Sequence, residues 1–393
     1  MSGMDTAIVI GGGQAGLGTA FALRNQGFCP VVLEAGPEPV GSWPHYYDSL
    51  VVFTPARFFS LPGMPFPGAP GHFPARDEVV AYLRQYASRL DCEIRTGARV
   101  VSVVADRDGY AVTTADGTRL HGAVVVAASG CFGNPHRPGL PGLADWTGRV
   151  LHSCEYRTPE PFAGQRVVVV GSGTSAVQIA VELSGGARTS IASRRPIRFT
   201  RPRDFDPREY VWRTFEQIGR IPVGPLLPSA AVSFFRAVPD SSGAQRRAVE
   251  QGRPDRRPLF SGAEGRELIW PDGTREQVDT VVLCTGYLPA LEYLRPLGAL
   301  TPDGRPRQRH GLSTSHPGLA YVGVEGQHTL LSAALHGVGT DARHIARGLR
   351  AHIVRGEPAL RRPAVRDGTA GRPRFSPPPG DPEPSVPRTR RSR

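Results

Sequence analysis

The chain of 393 residues contains no lysine; all 47 of its basic residues are arginine. That absence excludes a Schiff-base lysine and a P-loop lysine, and with them two large groups of enzymes. Long hydrophobic runs are missing as well. No stretch of 18 purely apolar residues occurs, and the opening MSGMD has no basic segment ahead of an apolar core. TAIVIGGGQAGLG therefore reads as a strand and a turn, not a signal peptide, and a cytoplasmic protein without membrane attachment is expected. Cysteine is sparse. The five cysteines are never closer than 23 residues, which excludes a CxxC redox pair and a local zinc site and leaves buried apolar thiols. Neither a Ser, His, Asp triad nor a metal-ligand spacing can be picked out, so no metal is expected.

The net charge of +12 is concentrated at one end. Residues 361–393 hold nine Arg against three acids, together with eight Pro. A disordered tail is expected over 356–393, because such a segment cannot bury enough apolar surface to offset the entropy of ordering it. Aromatic residues are not interleaved with those arginines, so a nucleic-acid partner is not expected.

What is present is a glycine-rich turn, and it is present twice. GGGQAGLG follows the apolar run TAIVI, and GSGTSA follows RVVVV; each leads into a segment of helical period. This strand, turn and helix order is what a dinucleotide fingerprint requires. In the first, Gly11, Gly13 and Gly16 permit the tight turn, the approach of backbone to pyrophosphate and the packing of helix on strand, with Gln14 opening the helix. In the second, Gly171 and Gly173 play those parts, Ala176 stands for the third glycine, and Thr174 and Ser175 open the helix. Phosphates are expected at both helix N-termini, where unpaired N–H groups point outward.

The residue that ends the following strand discriminates between nucleotides. Glu34 lies 23 residues after Gly11 and Arg194 lies 23 residues after Gly171, a spacing that makes the two counterparts. A carboxylate accepts hydrogen bonds from free ribose hydroxyls, so the first site reads as FAD; a guanidinium pairs with a 2′-phosphate, so Arg194, with Arg195 beside it, reads as NADPH. Arg201 and Arg203 are within reach of the same phosphates or form a solvated face.

Around these turns the chain divides. The expected fold is α/β, with two Rossmann-like dinucleotide-binding domains, the NADPH domain inserted in the FAD domain in a glutathione-reductase-like architecture. Residues 1–160 and 275–355 are assigned to the FAD domain and 161–274 to the NADPH domain. The irregular stretch 197–260 is expected to cover substrate. A Pro- and aromatic-rich loop over 41–68 precedes an amphipathic helix, and Asp116 and Gly117 mark a hairpin.

Further motifs sharpen this. WTGRVLHSCEY carries Trp146, Gly148, His152 and Tyr156, GSW stands at Gly41, Ser42 and Trp43, and VVVAASG and VVLCTGY mark the two domain crossings. In these the sequence resembles the class B flavin-containing monooxygenases, YUCCA-like members especially, over roughly residues 5–352. The resemblance implies FAD and NADPH as cofactors, O₂ and a small organic molecule as substrates, and a homodimer among the expected assemblies. It implies Ser42 and Trp43 near FAD, and a linker motif of Trp146, Gly148, His152 and Tyr156 in which His152 is more a hinge or domain contact than a proton donor. It implies a C4a-hydroperoxyflavin that oxygenates nitrogen, sulfur or a carbonyl carbon; an NADPH:acceptor oxidoreductase without oxygen transfer is the alternative. Heteroatom-oxidising members carry an Asn where this chain has Phe53, so that hydrogen bond is unavailable.

Overall fold

A computed structural model describes residues 5–200, 217, 221, 237–240, 242–329 and 331–356, the side chain of residue 336 set aside. The expected tail and most of the expected covering stretch, with Arg201 and Arg203, lie outside the described residues.

In chain order, β1 (Thr6–Ile10), α1 (Gln14–Arg24) and β2 (Cys29–Leu33) are followed by α2 (Arg76–Ser88), β3 (Glu93–Arg95), β4 (Val100–Asp106), β5 (Gly109–Thr114), β6 (Arg119–Gly122) and β7 (Val124–Ala127). Next come β8 (Arg149–His152), β9 (Arg166–Val170), α3 (Thr174–Leu183), β10 (Arg188–Ser193), α4 (Ala244–Glu250) and β11 (Asp255–Pro258). The strands β12 (Gly262–Glu264), β13 (Glu267–Ile269), β14 (Arg275–Gln277), β15 (Thr280–Leu283), β16 (Gln308–Arg309), β17 (Leu312–Ser313) and β18 (Leu319–Tyr321) precede the last described helix, α5 (Leu335–Arg355).

Among the described residues two large sheets form beside two three-stranded antiparallel ones, β4-β5-β6 and β12-β13-β14, and the central strands of the large sheets repeat one plan. The first runs β3-β2-β1-β7-β18, extended antiparallel by β17 and β16; the second runs β11-β10-β9-β15-β8, every pairing parallel. In both, the strand before the glycine turn sits third from one edge, with the chain reversing direction of travel beside it, which is the arrangement that opens a ligand crevice at the strands' carboxyl ends. The strands at these centres are Val- and Ile-rich and buried on both faces, as parallel strands must be when helices or further strands cover each side. The first sheet is covered on one face by α1, α2 and α5 through Leu17, Tyr82, Val338 and Ile345, and on the other by β4–β6 and Leu291 and Leu294. The second packs α3 and α4 on one face and Trp146, Phe260 and Trp270 on the other. The amphipathic helix expected after the Pro- and aromatic-rich loop, here α2, and the hairpin at Asp116 and Gly117 are both present.

The expected boundaries shift. β8 pairs with β15 through Arg149↔Thr280 to His152↔Leu283, and β15 pairs with β9, so residues 149–160 and 275–283 belong with the second sheet. The crossings lie within 128–139 and 284–290 instead of 160/161 and 274/275, since Leu143 and Trp146 already pack on the second sheet and Leu291 and Leu294 on the first. The reason is that β15 is an interior strand of the second sheet and β8 its edge strand, paired to each other, so both belong to the sheet they lead out of or into.

Candidate active site

The first cradle is built by close approach. Gly11 has φ +108°, a conformation side-chained residues avoid, and a Cβ there would lie 2.5 Å from the Ala128 carbonyl oxygen. A Cβ on Gly16 would lie 1.8 Å from the Gly11 oxygen, so the turn closes only with glycine at that position. Gly13 caps α1 without any side-chain partner, leaving the first turn's N–H groups facing out as an anion site needs. Glu34, 7% exposed, ends β2 and accepts from the Gly12 N–H (2.6 Å) and the Gly36 N–H (2.7 Å). Its carboxylate thus shapes the turn and keeps lone pairs for ribose hydroxyls. The GSW motif lies directly on this turn, since a Cβ on Gly41 would be 2.7 Å from the Gly13 Cα. The Trp43 indole donates to Gln14 Oε1 (3.1 Å), and Gln14 Nε2 donates to the Ala333 carbonyl (3.3 Å) ahead of α5.

The second cradle copies the first atom for atom at its start. The Gly11 N–H donates to the Leu33 oxygen (2.8 Å) and the Gly171 N–H to the Ala192 oxygen (3.0 Å); Gly171 has φ +150°, and a Cβ there would meet the Cys284 oxygen at 2.5 Å. This equivalence corrects the spacing argument. Ile10 pairs with Leu33, but Val170 pairs with Ala192, so the second unit is one residue shorter and the counterpart of Glu34 is Ser193, not Arg194. Equal sequence spacing misleads because α3, with 10 residues, is one residue shorter than α1, with 11. At the strand end a small hydroxyl replaces the carboxylate, and Arg194 and Arg195 follow as exposed side chains on the loop. Gly173 caps α3 with open space around its Cβ position, and Thr174 and Ser175 form the first turn.

Between the cradles runs a wall of aromatic rings that sequence reasoning missed, apart from Trp43 and His152 at its ends. Trp43 contacts Tyr46 (5.6 Å), Tyr46 contacts Phe132 (4.8 Å), Phe132 stacks on Tyr287 (5.4 Å), and Tyr287 meets His152 edge-on (4.9 Å). Tyr47 beside it hydrogen-bonds Gln178 of α3 and touches Tyr156. Burial pushes the Tyr287 hydroxyl up to about 12 and the hydroxyls of Tyr46 and Tyr47 higher still, so the wall is neutral at any working pH. The wall comes from three loops and the end of β8, and of its rings Trp43, His152 and Tyr287, the last residue of VVLCTGY, fall in recognisable motifs while Tyr46 and Phe132 do not. Phe53, by contrast, is 47% exposed on the loop.

The linker motif sits where the chain changes sheets. Trp146 covers Gly148, whose Cβ would come within 2.1 Å of the indole ring, and the Tyr156 hydroxyl donates to Glu182 (2.7 Å). His152 is fully buried, with Nε2 3.0 Å from the Gly286 oxygen and Nδ1 3.3 Å from the Cys154 N–H. Burial first, then the Arg137 and His136 charges, holds its pKa below the ordinary imidazole value. The bonding pattern assigns a neutral ring with Nε2–H donating to Gly286. Both nitrogens are occupied, so His152 pins the crossing instead of moving protons. All five cysteines are free, and burial raises the Cys92, Cys131, Cys154 and Cys284 thiols, so none of these four is a ready thiolate. Among the described residues no three His, Cys, Asp or Glu groups form a metal-holding set, and no described helix is long and apolar enough to cross a membrane.

Behind Ala333 lies a second unforeseen cluster. Asp341, wholly buried on α5, accepts from Thr329 Oγ1 (3.4 Å), has one carboxylate oxygen without a partner among the described residues, and is raised to about 6 by burial. His328 stacks on His344 (3.9 Å) nearby in the same segment and is lowered to about 4 by burial and by the neighbouring imidazoles.

Residues 8–211 match the family described as pyridine nucleotide-disulphide oxidoreductase. An uncharacterized oxidoreductase CzcO of Bacillus subtilis is 30% identical over 88% of this chain and 99% of its own. A flavin-containing monooxygenase from Stenotrophomonas maltophilia, of known structure, is 33% identical with a TM-score of 0.78, covering 89% of this chain and all of that one. The chain belongs to the class B flavin-containing monooxygenases. The rice indole-3-pyruvate monooxygenase YUCCA1 is 33% identical over 49% of this chain and 48% of its own. The protein is accordingly an FAD- and NADPH-dependent flavin monooxygenase with two Rossmann-like halves. Its residues fit both cofactors: two glycine cradles that a Cβ would fill, one with a buried carboxylate at its strand end and one with a hydroxyl and two arginines.

Proposed function

We propose that this flavin monooxygenase binds FAD in the first cradle through Gly11, Gly13, Gln14, Gly16, Glu34, Ser42 and Trp43. NADPH binds in the second through Gly171, Gly173, Thr174, Ser175, Arg194 and Arg195. The FAD domain then comprises the first sheet with its helices, and the NADPH domain spans 149–283. The single observation that carries this reading is the contrast between two cradles of the same construction: a bonded carboxylate at one strand end, and at the other Ser193 followed by two arginines that form no ion pair among the described residues.

Bound flavin supplies the oxygen chemistry, through the C4a-hydroperoxide that the resemblance implies, acting on nitrogen, sulfur or a carbonyl carbon of a small molecule. The protein's own residues bind and orient. Helix N-terminal N–H groups receive the pyrophosphates, Glu34 accepts from ribose hydroxyls, and the arginines pair with the 2′-phosphate. The ring wall from Trp43 to Tyr287 keeps water from the space between the cradles, and His152 holds the crossing at Gly286 so that both nucleotides meet in register.

The test is incubation of the FAD-loaded enzyme with NADPH, ¹⁸O₂ and an amine, a thioether and a ketone in turn, read by mass spectrometry. A product carrying one ¹⁸O atom supports oxygen transfer. NADPH consumption with label found only in hydrogen peroxide and none in any organic product would favour the reductase alternative.

A further inference from the structure

The strand at the edge of the second sheet contributes to the same cleft as Arg194. β11 runs parallel to β10 with Ile191 opposite Arg256 and Ser193 opposite Pro258. Beyond their paired ends lies a cleft of about 550 Å³ whose walls include Ser193, Arg194, Arg195, Glu250, Asp255 and Arg256. Parallel strands sit less than 5 Å apart, so a guanidinium rooted at 256 reaches the space that Arg194 and Arg195 border.

The charges in this cleft are unevenly committed. Asp255 accepts from Ser190 (2.5 Å) and from Arg257 (2.9 Å), and Glu250 is paired with Arg246 (2.8 Å). Arg257, next in sequence, is fully engaged, with Asp255, with Glu276 (3.2 Å) and over the Trp270 ring (4.7 Å). Arg194, Arg195 and Arg256 form no ion pair among the described residues. Three guanidinium groups bordering one cleft repel one another unless an anion joins them, while both acids that face them are already neutralised. The ligand that fits is a phosphate monoester dianion, which carries close to two negative charges and three acceptor oxygens at neutral pH.

We infer that Arg256 is a third residue of the 2′-phosphate site and makes this cleft selective for the phosphorylated nicotinamide cofactor. The inference rests on the proposed placement of NADPH in the second cradle and extends it to a residue 63 positions beyond the fingerprint's own strand end, Ser193. Arg194 and Arg195 meet the phosphate from the loop, and Arg256 meets it from the neighbouring strand. That third direction fixes the phosphate's position from two elements of the sheet instead of one.

The test uses the FAD-loaded enzyme and calorimetric titration with 2′,5′-ADP and with 5′-AMP, probes that differ only in the 2′-phosphate. Arg256→Gln should weaken 2′,5′-ADP binding tenfold or more and change 5′-AMP by less than twofold, and Arg256→Lys should recover part of the loss as a point charge without the planar fork. The inference is overturned if Arg256→Gln leaves 2′,5′-ADP unchanged, or weakens both probes equally as a structural defect would. The Arg194→Gln, Arg195→Gln double variant separates the two claims. If it loses selectivity and Arg256→Gln does not, the third contact fails and the NADPH site stands; if wild-type enzyme binds both probes alike, the NADPH placement fails with it.

Discussion

Replacing Glu34 by glutamine should disable the first cradle while leaving the rest of the molecule intact. The carboxylate is buried and joins two backbone donors, Gly12 at 2.6 Å and Gly36 at 2.7 Å. A glutamine oxygen can accept from one of them, but its amide nitrogen presents hydrogens to the other. One buried N–H loses its acceptor, at about 1–3 kcal/mol, and the remaining bond loses its charge, at about another 1 kcal/mol. The turn itself is therefore weakened by roughly 2–4 kcal/mol before any cofactor is considered. Bound ribose hydroxyls lose a charged acceptor as well, so FAD affinity should fall by about a hundredfold or more. Fluorescence titration of apoprotein with FAD measures the second effect, and thermal melting of the same apoprotein measures the first. Full flavin occupancy on purification, with an unchanged dissociation constant and an unchanged apoprotein melting curve, would refute the reasoning.

Other residues allow sharper contrasts. Gly16→Ala should fail to bind flavin and lose stability, because its Cβ would lie 1.8 Å from the Gly11 oxygen, whereas Gly173→Ala meets nothing within 4 Å and should melt normally yet raise the Michaelis constant for NADPH where the pyrophosphate approaches; equal melting losses in both would contradict this. Asp341→Asn should change how stability depends on pH. The folded pKa of about 6 lies above the unfolded value, so the group's contribution is full below the unfolded pKa and is lost as pH rises through 6, about 3 kcal/mol in all. Asparagine does not titrate, so the variant should gain about 2 kcal/mol on wild type between pH 4.5 and pH 8, read from urea midpoints; a constant difference across that range would show that Asp341 is not buried as described.

Most of the architecture was legible because it rests on local pattern. Valine-rich strands of four or five residues, glycines at fixed offsets and helical periodicity identify both nucleotide units, and the linker motif locates the crossing that His152 occupies. What could not be read depends on register and on long-range assembly. A single residue fewer between Val170 and Ala192 moves Ser193 into the place assigned to Arg194, and no spacing rule reveals that without the strand pairing. Tyr46, Phe132 and Tyr287 meet only because loops after three different strands converge, so their contact leaves no periodic trace. The boundaries slipped for a related reason: TVVL at 280–283 looks the same from sequence whether it pairs with β7 or with β9.

The central claim is that the second cradle binds the phosphorylated cofactor through the two arginines after its strand end. Anaerobic stopped-flow reduction of the enzyme-bound flavin by NADPH and by NADH, in wild type and in the Arg194→Gln, Arg195→Gln variant, tests it directly. Each charged contact to a phosphate is worth about 1.5–3 kcal/mol, so wild type should prefer NADPH and the variant should lose that preference by about tenfold or more, with normal flavin content. A wild type that prefers NADH, or a variant whose preference is unchanged, would contradict the account.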